Sequence, residues 1–140
     1  MNTRSQNLME IRPTISSIVI TDSMGEEELF QNRTLRPIIK MQNPLLLLMF
    51  KNYIRKYKNG FYELGLEKRL DFIGNSIQKD VKFRNSLKGV VIGQFTEEEY
   101  GIYIQNSSPL NKRMMQMVID RLKDQVQLFE LEAKVSLSII

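Results

Sequence analysis

Several stretches of this sequence carry residues whose types and spacing could do chemistry. Ser76 to Lys79 reads SIQK, the Ser-x-x-Lys spacing in which a lysine can serve a serine nucleophile. Glu67 and Asp71 stand four apart, so a helix would present both carboxylates on one face. In KNYIRKYK, the cations Lys51, Arg55, Lys56 and Lys58 interleave with Tyr53 and Tyr57, a combination that can grip a phosphate backbone and stack bases. Gly89 and Gly93 sit four apart in LKGVVIGQFTEEEY, where a phosphate loop or a close helix contact would need them. Arg84, Lys112 and Arg113 are a further set of cations that could form a polar partner surface.

Most of these have a plainer reading. SIQK lacks the Ser-Asp-Asn and Lys-Thr-Gly companions of the penicillin-binding enzymes, and 140 residues are too few for that fold. The chain has no histidine and no cysteine, which removes the usual general base near neutral pH, thiol catalysis, disulfides and the commonest metal ligands. A carboxylate pair without histidine reads as a solvated helix face, and carboxylate-bridged di-iron bundles need Glu-x-x-His pairs. No catalytic, cofactor-binding or metal-binding residue is therefore assigned. A phosphate loop would continue Gly-Lys-Ser/Thr, whereas Gln94 and Phe95 follow Gly93. Gly89 and Gly93 are read instead as a helix-contact face, with a β-strand over GVVIGQF as the alternative. Two interior glycines cost roughly 2 kcal/mol against alanine, which a close contact would offset. The basic run reads first as a helix C-terminus whose cations suit the dipole and whose tyrosines anchor in the core.

Hydrophobic residues make up 42% and charged residues 26%, the composition of an ordinary globular protein with room for one domain. The longest apolar run, Leu45 to Phe50, is far short of the ~20 residues a spanning helix needs. Ile15 to Ile20 is too short and badly placed for a signal peptide. The expectation is a cytoplasmic protein without membrane contact. The net charge of +4 permits nucleic-acid binding without demanding it, because acids are mixed among the bases.

The elements that must position these groups are helices. Residues 1–25 hold Pro13, scattered Ser and Thr and one β-branched patch, TISSIVIT, and are read as an extended arm with a possible strand over 14–21. Residues 26–130 read as one helical domain and 131–140 as a tail. Glu26 to Glu28 suit a helix start, Thr34 and Pro37 a new one, and Asn43-Pro44 either a third start or a kink. Leu66, Leu70, Ile73 and Ile77 lie on one helical face, and Asp80 can cap the next helix, carrying Phe83, Leu87, Val90 and Val91. Thr96 and Glu99 make a capping box, so one helix ends near Phe95 and another begins at Glu97. A last helix, capped by Ser108, has the seam Met115, Val118, Leu122, Gln125 and Phe129, widened by Met114 and Met117. The expected fold is an all-α bundle of about five helices with an extended N-terminal arm.

FQNRTLRPIIKMQN, KFRNSLKGVVIGQFTEEEY and SSPLNKRMM together resemble a family of small, uncharacterised bacterial proteins that often carry the label "glyoxalase". The resemblance runs from Phe30 to Phe129. It implies a helical fold but carries over no functional residue: glyoxalase I holds its metal through histidine and glutamate on paired βαβββ modules, and glyoxalase II needs more histidines still. The leading expectation is a non-enzymatic interaction or scaffold protein that self-associates. The alternatives are an enzyme acting on methylglyoxal–thiol adducts through an all-carboxylate metal site, and a nucleic-acid binder using the basic run.

Overall fold

The computed structural model describes residues 2–56 and 60–129, and among them every regular element is helical. In order these are α1 (Thr3–Ile11), α2 (Glu26–Phe30), a π-helical turn (Gln31–Leu35), α3 (Arg36–Lys56), α4 (Gly60–Glu63), α5 (Leu66–Lys79), α6 (Val81–Ile92), α7 (Glu97–Tyr103) and α8 (Ser107–Asp124). A short helical stretch follows at 126–129. The all-α class agrees with the expectation, but the elements outnumber the expected five. Tyr57, Lys58 and the 131–140 tail lie outside the described residues.

The first 25 residues are not a uniformly extended arm. Asn2 caps α1, its side chain accepting from the Ser5 amide at 2.8 Å. No strand forms over 14–21, where Ile18 N–H closes a turn on the Ile15 carbonyl. Helix α1 has no apolar stripe; its only buried residue is Ser5. Polar bonds hold it to the end of α6 instead. Arg4 donates to the carbonyls of Phe95 (2.9 Å) and Gly93 (3.0 Å), and Arg12 donates to that of Gln94 (3.0 Å). A helix C-terminus leaves carbonyls without intrahelical partners and carries partial negative charge, so two guanidinium groups suit this place on both counts.

Helices α2 and α3 form one continuous run across the π turn, so the break expected at Thr34 is absent. The Arg36 amide bonds the Gln31 carbonyl, five residues back. That widened turn sits directly before Pro37, whose ring would otherwise press on the carbonyl of the preceding turn. Pro44 neither starts a helix nor ends one: it lies inside α3. Two long-range pairings flank it. Gln42 donates to the Val90 carbonyl at 3.0 Å, and Asn43 pairs reciprocally with Gln125 at 2.9 and 2.7 Å.

The core lies where α3, α5, α6 and α8 meet. It is built from Leu46, Phe50 and Ile54 of α3, Ile73 and Ile77 of α5, Leu87 and Val91 of α6, and Met114, Val118 and Leu122 of α8. These follow helical spacing on each element, as the sequence pattern predicts. The Asp80 cap of α6 and the Thr96–Glu99 capping box of α7 are both formed.

The glycine contact is not. Both glycines are exposed, and a Cβ built at Gly89 meets nothing within 4 Å, while one at Gly93 meets only carbonyls of its own helix, Gly89 at 3.1 Å and Val90 at 4.0 Å. Gly93 is the C-cap of α6, so GVVIGQF is a helix end and not a strand. Gly89 thus costs helix stability without a contact to offset it. Gly89→Ala is expected to stabilise the fold by about 0.5–1 kcal/mol, read as a raised midpoint in thermal or urea unfolding. A loss of stability would show that something does pack against this position.

Candidate functional site

Helix α8 enters beside the end of α5 and along α6, and a groove of about 660 Å³ runs between them. Arg84 and Lys88 come from one wall of it and Lys112 from the other; Ile77, Met115 and Ile119 are its apolar floor. Ile77 and Ile119 are almost fully buried and Met115 is 8% exposed, so the floor is part of the protein core seen from outside. Gln78, Ser108, Asn111 and Gln116 supply neutral polar groups. Among the described residues no acidic one lines this groove.

Two contacts fix its geometry. Arg84 Nη1 donates to the Gln78 carbonyl at 2.6 Å, which ties the guanidinium to the last turn of α5. Tyr103 Oη donates to Asn111 Oδ1 at 2.5 Å. Burial raises the Tyr103 phenol above its usual value, against the lowering effect of that bond, so it remains a donor at neutral pH. Among the described residues Arg84, Lys88 and Lys112 make no ion pair.

The set Arg84, Lys112 and Arg113 is split by helix geometry. Consecutive residues on a helix point about 100° apart. Lys112 faces the groove, whereas Arg113 turns to the other side of α8, donating to Glu27 Oε2 at 3.2 Å and to Gln31 Oε1 at 2.6 Å. There it borders a second depression, of about 720 Å³, where four cations, Arg36, Lys40, Arg113 and Arg121, are partly offset by Asp120 and Asp124. The member that sequence reasoning missed is Lys88. Its signal is present: from Val81 to Phe95 the chain carries Lys82, Arg84 and Lys88 and no acid, with Lys88 one turn beyond Arg84.

The basic run is placed differently. Lys51, Arg55 and Lys56 lie in the last turns of α3, with Arg55 and Lys56 exposed. Tyr53 is not available to stack a base: its ring stacks on Phe83 at 4.0 Å and its hydroxyl donates to Asp80 at 3.0 Å. Among the described residues no three acidic side chains come together as a metal site would require, and no helix is long and apolar enough to cross a membrane. No protein-family model, curated protein or solved structure matches this chain.

Proposed function

We propose that this chain is a non-enzymatic helical interaction protein that pairs with a second copy of itself through the outer face of α3. The observation that carries this reading is the placement of Pro44, Leu45 and Leu48. All three are exposed, Leu45 at 45% and Leu48 at 60%, while Leu46 and Phe50 of the same turns fill the core. Between Lys40 and Lys51 the helix has no charge at all. A stripe of that kind offers nothing for an oppositely charged partner to recognise, but it is complementary to itself: a two-fold axis across it lays leucine on leucine. The enzyme reading attached to the glyoxalase label would need converging glutamates, and the nucleic-acid reading would need free aromatic rings beside the basic run; the positions above favour neither.

Native mass spectrometry and light scattering test the proposal. At about 100 µM the protein is expected at twice the chain mass of 16.5 kDa. Leu48→Glu is expected to return it to a monomer with an unchanged helical spectrum, because the side chain is exposed and the new charge would be buried only in the dimer. A wild-type protein that stays monomeric at that concentration, or a dimer indifferent to Leu48→Glu, overturns it.

A further inference from the structure

We propose that the groove between α6 and α8 binds a small organic phosphate ester, the phosphate held by Arg84, Lys88 and Lys112 and the apolar body resting on Met115 and Pro109, the parts of the apolar lining that reach the surface. The charge of the groove is the first argument. Three cations line its two walls, and among the described residues no acid lines it. Like charges gathered in this way repel one another, and an anion placed among them relieves that repulsion. A phosphate monoester carries close to two negative charges at neutral pH, which matches a set of three cations better than a single carboxylate does.

The geometry adds to this. Arg84 is already tied to the Gln78 carbonyl through Nη1, so its remaining N–H donors are held in place before any ligand arrives. The first turn of α8 also borders the groove through Ser108 and Pro109, and its N-cap, Asn106, makes no side-chain cap bond. The partial positive charge of that helix start therefore adds to the cations beside it.

Size and floor select the class of ligand. A volume of about 660 Å³ lies within the range of small-molecule sites. The floor is aliphatic, and among the described residues no aromatic one lines the groove. A single-stranded nucleic acid is held by aromatic platforms along an open basic track, and the groove has no such platform. The floor instead offers dispersion contact to one compact apolar group.

Titration with 1-naphthyl phosphate, followed by calorimetry and by its fluorescence, tests the assignment. Saturable one-to-one binding is expected, with inorganic phosphate and 1-naphthol each binding at least about tenfold more weakly, since each keeps only half of the contacts. Lys88→Glu and Lys112→Glu are each expected to weaken binding about tenfold or more, while Lys56→Glu, on the far basic run, leaves it unchanged. Circular dichroism on each variant verifies the fold. The proposal is overturned by the absence of saturable binding, by Lys56→Glu weakening it as much as Lys112→Glu does, or by an oligonucleotide that binds more tightly than the ester at equal phosphate concentration.

Discussion

Phe50→Ala is expected to lower the unfolding free energy by about 4 kcal/mol, the middle of the range for emptying a buried phenylalanine site. The ring is fully buried and sits at the centre of an aromatic cluster. Its centroid lies 5.1 Å from that of Phe129, 6.2 Å from Phe61, 6.3 Å from Phe72 and 6.1 Å from Phe83. These partners come from α4, α5, α6 and the stretch after α8, so one side chain of α3 ties together elements far apart in sequence. Rings held on several sides cannot collapse into the space left by alanine, and the cavity adds to the lost transfer energy. Domains of this kind are commonly stable by 5–15 kcal/mol, so such a loss would take a large share of the total. Urea unfolding measures it, with Phe50→Leu as a companion expected to cost less than half as much because it refills most of the volume. A loss under about 1 kcal/mol for alanine would mean that the cluster is not the packing centre described above.

What the sequence made legible was local. Thr96 and Glu99 predict a helix start because each satisfies an amide of the other's turn, and both bonds form, at 3.1 and 2.9 Å. Asp80 does the same for Phe83 at 3.1 Å. The seam of α8 keeps Met115, Val118, Leu122 and Phe129 inward, and its one polar member, Gln125, meets Asn43 of α3. The misses involve partners distant in sequence or a backbone detail without a side-chain signature. Helix α1 has almost nothing for periodicity to detect, because arginine contacts some 90 residues away hold it. Pro44 reads as a helix start on local rules, and nothing local reveals that α3 runs through it while Gln42 and Asn43 beside it bond Val90 and Gln125 of α6 and the end of α8. The splitting of Lys112 from Arg113 was in principle readable from helical pitch alone. Lys88 is different: a single cation beside Gly89 gains meaning only once Lys112 of α8 lines the opposite wall.

Arg12→Ala is expected to cost about 3 kcal/mol and to loosen the C-terminal end of α1, whose start stays tied to the end of α6 through Arg4. Arg12 and Glu99 form a bidentate pair at 2.6 and 2.9 Å, with side chains only 4% and 14% exposed. Glu99 also accepts from the Thr34 hydroxyl at 2.8 Å and from the Thr96 amide, so one carboxylate joins α1, the π turn and α7. Among the described residues Arg12 Nε is buried without a partner, which places the expected loss at the low end of the range for a broken buried pair. The same loss is expected from Glu99→Gln, which keeps the reach back to Thr96 but leaves the Arg12 charge buried alone. Burial pushes the Glu99 carboxyl up, but the bonds from Arg12, Thr96 and Thr34 outweigh it and hold the group below the ordinary carboxylate range. A depressed folded-state value stabilises the protein above the unfolded value of about 4.5 and loses that contribution as pH falls through the folded value. The gap between wild type and Arg12→Ala should therefore be full at pH 7 and narrow below pH ~4. Glu97, held at about 2 first by the Ser5 hydroxyl and then by Asn2, loses its own contribution over the same window, but it does so in both proteins while Ser5 and Asn2 stay in place, so the narrowing of the gap reports on Glu99. Urea unfolding at several pH values, with hydrogen exchange of the α1 amides, measures both effects. A gap that does not change with pH would mean that the Arg12 side chain acts by packing and by its Gln94 carbonyl bond, and not by the charge of Glu99.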